Sequence, residues 1–229
     1  MGLIRNELGG AGRSLRRTRA LWEITSVNIN GPPVIILGGY ASVRQLYATA
    51  QLELEEAGCR SYIFEVGGKF TDSCERLADF LASTEFNGDE RVTLVGHSLG
   101  GGIAAYMLLW ETTRRFVKSV HLLGTPLFGT PIVPLERLIR MTAHVSRDTF
   151  VHYRRRFVQF SDYVTAYVGD NDGVAPREWC VVPESAMRVV ELPNRVHLDF
   201  LNDPYVWQLV ASAAHATIRG PVPSGTGPH

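Results

Sequence analysis

The sequence predicts an α/β protein with a doubly wound, mostly parallel β-sheet. Short runs of β-branched and other apolar residues alternate with helical stretches along the chain, and short turns separate them. Strands that alternate with helices in this way form βαβ units, in which neighbouring strands lie parallel. With 229 residues, of which 45% are hydrophobic and 20% are charged, the chain is long enough for one domain with a sizeable core.

The apolar runs predict six core strands. Each run is short and is bounded by turn residues, as is typical of strands that are buried in a parallel sheet. The predicted strands span residues 34–37, 62–66, 92–95, 117–123, 164–168 and 187–192. A further strand at 22–29 is expected to pair antiparallel at an edge of the sheet.

Helices are predicted at residues 42–57, 72–82, 99–110 and 204–218. The first of them ends at Gly58, because glycine is the residue that most often follows a helix C-terminus. Asp72 and Glu75 have the spacing of a capping box, so the second helix is expected to begin at Asp72. In the last helix, Asp203 is expected to cap the N-terminus and Pro204 to occupy the first helical position.

We expect one α/β domain at residues 21–219, preceded by a basic arm at 1–20 and followed by a disordered Pro/Gly-rich tail at 220–229. Residues 131–162 interrupt the alternation of strands and helices. They carry apolar residues at helical spacing, with arginines on the opposite side. We interpret them as a helical, lid-like insertion, and the alternative is a set of packing helices with a solvated basic face.

The overall composition excludes several classes of protein. The chain has 23 basic and 23 acidic residues, whereas a dedicated nucleic-acid binder normally carries a strong basic excess. Its three cysteines lack C-x-x-C spacing, so we expect reduced thiols and no zinc site. No apolar signal segment follows the basic arm, and the expected compartment is therefore the cytoplasm. A weak contact between that arm and a membrane surface is the alternative to a solvated terminus.

A G-x-S-x-G motif lies between the predicted strand at 92–95 and the predicted helix at 99–110, and it comprises Gly96, Ser98 and Gly100. A tight turn at such a junction holds the serine in a strained conformation with its hydroxyl projecting, and the glycines leave room for the turn to close. The helix N-terminus supplies free N–H groups and a positive dipole end. Ser98 is therefore the candidate nucleophile, and the alternative is an ordinary glycine-rich turn.

A serine nucleophile needs a general base, and seven histidines compete for that role. We favour His197, which follows the last predicted strand at the carboxyl end of the sheet, where the sites of doubly wound proteins assemble. The alternative is a surface histidine without a role. His97 flanks Ser98, so its side chain is expected to point away from the serine. The other histidines lie on a core strand, in the insertion, in the last helix or in the tail, and they are His121, His144, His152, His215 and His229.

The base needs a carboxylate that orients it, and the turn after the predicted strand at 164–168 carries two candidates. Asp172 is favoured over Asp170 because it lies deeper in the turn, and Asp162 is discounted because it precedes the strand. Asp170 and Asp172 also resemble part of a calcium loop. The remaining ligands of such a loop are missing from the sequence, so no metal site is expected.

These motifs resemble the α/β-hydrolase superfamily, and within it the smaller bacterial lipases and esterases. Residues 96–101 match the G-H-S-[LM]-G-G segment of that superfamily, and residues 169–176 match its acid turn. Ser98, Asp172 and His197 follow in the superfamily's order of nucleophile, acid and base. The resemblance covers most of the chain. It implies an α/β-hydrolase fold with a helical insertion between the sixth and seventh strands.

The resemblance also implies a reaction. The backbone N–H groups of Tyr40 and Leu99 would form the oxyanion hole, although residues 38–40 are Gly-Gly-Tyr where the family usually has His-Gly. A small-molecule carboxylic ester, or another acyl compound, would be cleaved through an acyl-enzyme without a metal or organic cofactor. Thioester hydrolysis and acyl transfer would use the same three residues. A hydrolase fold that only binds its ligand is a further alternative.

Overall fold

Six parallel strands form the centre of the structure. The structure is a computed structural model, and it describes residues 30–39, 42–67, 69–83, 86, 90–127, 129 and 156–216. The strands are β1 (Pro33–Leu37), β2 (Arg60–Phe64), β3 (Val92–His97), β4 (Val117–Leu123), β5 (Val164–Gly169) and β6 (Arg188–Leu192). Their order across the sheet is β2-β1-β3-β4-β5-β6, and every pairing between these neighbours is parallel. The predicted core strands and the doubly wound sheet are confirmed.

Helices cover both faces of this sheet. The α-helices are α1 (Ala48–Glu56), α2 (Phe70–Leu81), α3 (Leu99–Met107), α4 (Glu111–Arg114), α5 (Arg177–Cys180) and α6 (Pro204–His215), and 3-10 helices span Arg44–Tyr47, Val158–Tyr163 and Asp199–Asn202. In β1, Val34 and Ile36 pack with the core residues of α1 and α6, whereas Ile35 and Leu37 pack with those of α2 and α3. Because successive side chains of a strand point to opposite faces, this division explains the continuous apolar run in the sequence.

Of the two predicted helix N-caps, one is wrong and one is confirmed. Helix α2 begins at Phe70 instead of Asp72, and Lys69 at its N-cap makes no side-chain capping bond. The earlier start places Phe70 in the hydrophobic core, and Asp72 then lies in the first turn beside the positive end of the helix dipole. Asp203 caps α6 as predicted, because its carboxylate accepts the N–H of Tyr205 at 3.0 Å.

Several predicted segments lie outside the described residues. They are the arm at 1–20, the strand at 22–29, residues 131–155 of the insertion and the tail at 220–229. The end of the insertion is described: Phe157 and Phe160 are buried in the core, and the Arg156 guanidinium donates to the carbonyl oxygen of Leu109 at 3.2 Å. The lid-like insertion itself stays a prediction. None of the described helices is long and apolar enough to cross a membrane.

A buried polar group lies inside the sheet, on the face that α1 and α6 cover. His121 on β4 is hydrogen-bonded through Nδ1 to the Tyr167 hydroxyl of β5 at 2.9 Å and through Nε2 to Ser119 Oγ at 3.3 Å. Burial, together with the charge of Arg188, lowers the pKa of His121 to about 4. The ring is therefore neutral in the folded protein at physiological pH.

This neutral histidine makes the stability of the protein depend on pH. Between about pH 6.5 and pH 4 the unfolded chain protonates His121 while the folded chain does not, so the free energy of unfolding falls as the pH falls. The contribution of this one group amounts to at most about 3 kcal/mol. Urea titrations at pH 7 and pH 4.5 should show a smaller decline for His121→Gln than for the wild type. Equal declines would contradict the prediction.

Candidate active site

Ser98 lies at the junction of β3 and α3 in a strained backbone conformation. Its φ and ψ are 53° and −121°, in a region that residues other than glycine rarely adopt. A Cβ on Gly96 would meet the backbone of Gly101, and a Cβ on Gly100 would meet the carbonyl oxygen of Leu37. The two glycines of the motif therefore allow the close approach between α3 and the strands, and the serine takes up the strain.

The Asp172 carboxylate and the His197 ring form a buried hydrogen-bonded pair. Asp172 is 3% exposed, and its Oδ2 lies 2.9 Å from His197 Nδ1. Asp172 Oδ1 accepts the N–H groups of Val174 and Ala175 at 2.9 and 2.8 Å. Burial by itself raises the pKa of Asp172, but the hydrogen bonds and the charge of His197 outweigh it, so the pKa lies below its ordinary value. The carboxylate is ionised, and it holds the proton of the ring on Nδ1.

The serine and this pair lie at the same edge of the sheet, beyond the carboxyl ends of β3, β5 and β6. The end of β4 lies between the serine and the Asp172–His197 pair, because Leu123 contacts Ser98 and the next residue, Gly124, lies against the pair. The carbonyl oxygen of the preceding Leu123 accepts the Ser98 N–H at 3.0 Å. A Cβ on Gly124 would lie 2.8 Å from Asp172 Oδ2 and 3.2 Å from His197 Nδ1. Within the described part of the chain, the hydroxyl of Ser98 forms no hydrogen bond, neither with His197 nor with another group.

His97 contacts His197 from the strand that carries the serine. The two ring centroids are 4.7 Å apart, and His97 Nε2 lies 2.9 Å from the carbonyl oxygen of His197. Burial and the adjacent His197 lower the pKa of His97 to about 4, so its ring is neutral. This contact could not be predicted from the sequence, because nothing in the local pattern indicates that a residue next to the serine reaches a loop beyond β6.

Of the two proposed oxyanion donors, one is described. Leu99 is the first residue of α3, and the N–H groups of a first helical turn have no acceptor within the helix. Tyr40 lies outside the described residues, but the preceding residue is anchored. The N–H of Gly39 donates to the hydroxyl of Tyr47 at 3.0 Å, and its carbonyl oxygen accepts Ser42 Oγ at 3.0 Å. This contact of Tyr47 could not be predicted from the sequence, since the local pattern indicates only a helical position.

The remaining candidates lie apart from this site. Asp170 accepts the N–H of Asn194 at 2.6 Å, while both oxygens of Asp172 are engaged by His197 and the backbone. Among the described residues, no group of three or more His, Cys, Asp and Glu side chains could hold a metal ion. His215 lies at the end of α6, as predicted. The other histidines of the insertion and the tail, namely His144, His152 and His229, lie outside the described residues.

The comparison with known families identifies the class of protein. A family model described as the alpha/beta hydrolase fold matches residues 32–173, which is more than half of the chain. The chain therefore belongs to the α/β-hydrolase family. The match includes Ser98 and Asp172, and it ends before His197. No curated protein sequence is matched.

Solved structures with the same fold include several lipases. The mature form of a Bacillus licheniformis lipase has a TM-score of 0.66 at 13% identity, covering 84% of this chain and 96% of that one. A Paleococcus ferrophilus monoacylglycerol lipase has a TM-score of 0.61 at 15% identity, covering 85% and 98%. Aspergillus fumigatus lipase B has a TM-score of 0.67 at 14% identity, covering 90% and 58%. Identities this low establish a shared fold and nothing finer.

The glycine at position 124 should be required for the Asp172–His197 pair. Gly124→Ala places a methyl group against both side chains and against the ring of Phe200, on a residue whose φ is 49°. We expect it to lower the free energy of unfolding by about 1–3 kcal/mol in urea titrations at pH 7.

Gly58→Ala is the matched control, because Gly58 also has a positive φ, 77°, and a Cβ on it meets no atom within 4 Å. Backbone strain alone should make this variant about 1 kcal/mol less stable than the wild type, a smaller loss than that of Gly124→Ala. Equal effects of the two substitutions would show that contact with the pair is not what excludes a side chain at position 124.

Proposed function

We propose that this protein is a serine hydrolase that cleaves carboxylic esters through an acyl-enzyme. Ser98 is the nucleophile, His197 the general base, and Asp172 the carboxylate that orients the base. The observation that carries the proposal is the buried Asp172–His197 hydrogen bond at the sheet edge where the strained Ser98 lies. Membership of the α/β-hydrolase family supports a hydrolytic reaction.

The first half of the reaction forms the acyl-enzyme. Asp172 holds the proton on Nδ1 of His197, which leaves the lone pair of Nε2 available as a base. His197 takes the hydroxyl proton while Ser98 Oγ attacks the ester carbonyl, and the protonated ring then gives that proton to the departing alcohol. In the second half, water repeats the attack with the same base, and the carboxylic acid leaves.

The tetrahedral intermediates carry a negative charge on the former carbonyl oxygen. The N–H of Leu99 at the start of α3 is one donor to that oxygen, and the dipole of α3 adds a positive potential there. The N–H of Tyr40 is the second donor in the proposal. Its position along the chain directly after Gly39, which Tyr47 and Ser42 hold in place, supports that role.

The proposed substrate class is a small-molecule ester. The solved structures with this fold include two lipases and a monoacylglycerol lipase, and these names support an ester as the substrate. Thioester hydrolysis and acyl transfer to an acceptor other than water would use the same three residues, so experiment has to distinguish ester hydrolysis from these two reactions.

Substitutions at the three residues test this function. The wild type should hydrolyse members of a chain-length series of p-nitrophenyl esters and react with a fluorophosphonate probe. Ser98→Ala should abolish labelling, and Ser98→Ala, His197→Gln and Asp172→Asn should each lower kcat by at least about 10³-fold, because the three groups act as one unit.

The chain supplies matched controls for this experiment. Ser212→Ala removes an exposed hydroxyl on α6, and Asp170→Asn changes the neighbouring carboxylate while it keeps an oxygen that can accept the Asn194 N–H. Both variants should keep kcat within about threefold of the wild type. If the wild type neither labels nor hydrolyses esters, the proposed function is contradicted and a hydrolase fold that only binds its ligand is favoured. Faster turnover of thioesters than of matched esters would show that thioesters, and not esters, are the substrate class.

A further inference from the structure

His97 joins the turn that carries the serine to the loop that carries the base. It is the last residue of β3 and is 3% exposed. Its Nε2 lies 2.9 Å from the carbonyl oxygen of His197, a residue 100 positions away along the chain. Because Ser98 is bonded directly to His97, this is a contact between the immediate neighbour of the nucleophile and the main chain of the base.

The hydrogen-bond partner of His97 Nε2 determines which ring nitrogen carries the proton. A carbonyl oxygen can only accept, so Nε2 of His97 carries a proton and donates it. In the neutral ring Nδ1 then has a lone pair, and among the described residues this buried atom has no partner. An unpaired buried acceptor costs free energy that an apolar side chain at this position would avoid. The described polar contact of this ring is therefore the one that Nε2 makes with the main chain of His197.

The loop that carries His197 has little apolar packing on either side of the histidine. Val196 and Leu198 are 49% and 51% exposed. The loop is held instead by polar contacts of the residues before His197: the Val196 N–H donates to Asp199 at 2.9 Å, and Arg195 pairs with Asp203 at 2.8 Å. These contacts tie the loop to itself and to the start of α6. The Asn194 N–H, which donates to Asp170 at 2.6 Å, and His197 Nδ1, at 2.9 Å from Asp172, tie it to the turn after β5. Of the described polar contacts, the one from His97 connects it to the strand of the serine.

We propose that His97 is a positioning residue. Its Nε2–H···O hydrogen bond to the main chain of His197, together with the contact between the two rings, sets the distance between the base and Ser98. The inference rests on the proposed function. His97 does not touch the reacting atoms in this scheme, and no proton passes through it. A shift of the loop away from Ser98 would have to break the hydrogen bond, and a displacement of about 1 Å at a catalytic group lowers the rate by up to about 100-fold.

The test compares side chains that keep or remove the donor. In His97→Gln the amide nitrogen lies at the reach of Nε2 and can donate to the same oxygen, whereas in His97→Asn the shorter amide cannot. His97→Met fills a similar volume without a donor. We expect Asn and Met to lower kcat for a p-nitrophenyl ester by about 10- to 100-fold with KM within about threefold, and Gln to stay within about fivefold of the wild type.

His121→Met is the matched control, since it also removes a buried neutral histidine from the neighbouring strand but lies on the face that α1 and α6 cover. It should lower stability and leave kcat per labelled active site unchanged. The fluorophosphonate labelling rate should follow the same order as kcat, which separates misplacement of the base from partial unfolding. If His97→Met does not fold, the Gln and Asn variants, which differ in reach and share the amide group, decide the question.

Each outcome has a distinct meaning. If Ser98→Ala keeps esterase activity, the proposed function fails. If Ser98→Ala is inactive and His97→Asn and His97→Met turn over like the wild type, the proposed function stands and the positioning role is overturned. A loss of more than about 10³-fold in the Gln variant as well would also overturn it, because losses of that size are those of a group that takes part in the chemistry.

Discussion

The arrangement of the site depends on the hydrogen bonds that stabilise one buried, ionised carboxylate. Asp172 is almost completely removed from solvent, and an ionised carboxylate in such a position is stable only when hydrogen-bond donors surround it. Two of its donors, the N–H groups of Val174 and Ala175, belong to its own turn, and the third is the ring of His197. The turn after β5 and the loop after β6 are therefore held together, and the orientation of the imidazole follows from that contact.

The second constraint is the close approach of α3 to the strands. The missing side chains of Gly96 and Gly100 let the first turn of the helix pack against its own strand and against the end of β1. The chain can make this turn only if Ser98 adopts a positive φ. The strain at one residue is offset by burial along the rest of the helix, whose inner residues belong to the core. The two constraints meet at Gly124, where a side chain would collide with the Asp172–His197 pair.

The strands could be predicted because both faces of the sheet are buried. Such strands are continuous apolar runs, and in β1 each residue from Val34 to Leu37 packs into one of the two cores. The start of α2 could not be predicted from its capping pattern. A capping box at Asp72 is worth about 1 kcal/mol, whereas burial of the Phe70 ring contributes about 2 kcal/mol or more, so the helix begins where the core requires it.

The sequence by itself determined the order of strands and helices, the class of fold and the serine motif at the end of β3. These features depend on composition, on periodicity and on residues a few positions apart, which are all local. The sequence also named Asp172 and His197 as the candidate acid and base, but the tertiary structure decided that the two side chains meet, and it brought His97 against His197. Asp172 and His197 are 25 positions apart, and His97 and His197 are 100 apart. Contacts over such separations depend on how the whole sheet and its connections pack, and no short segment contains that information.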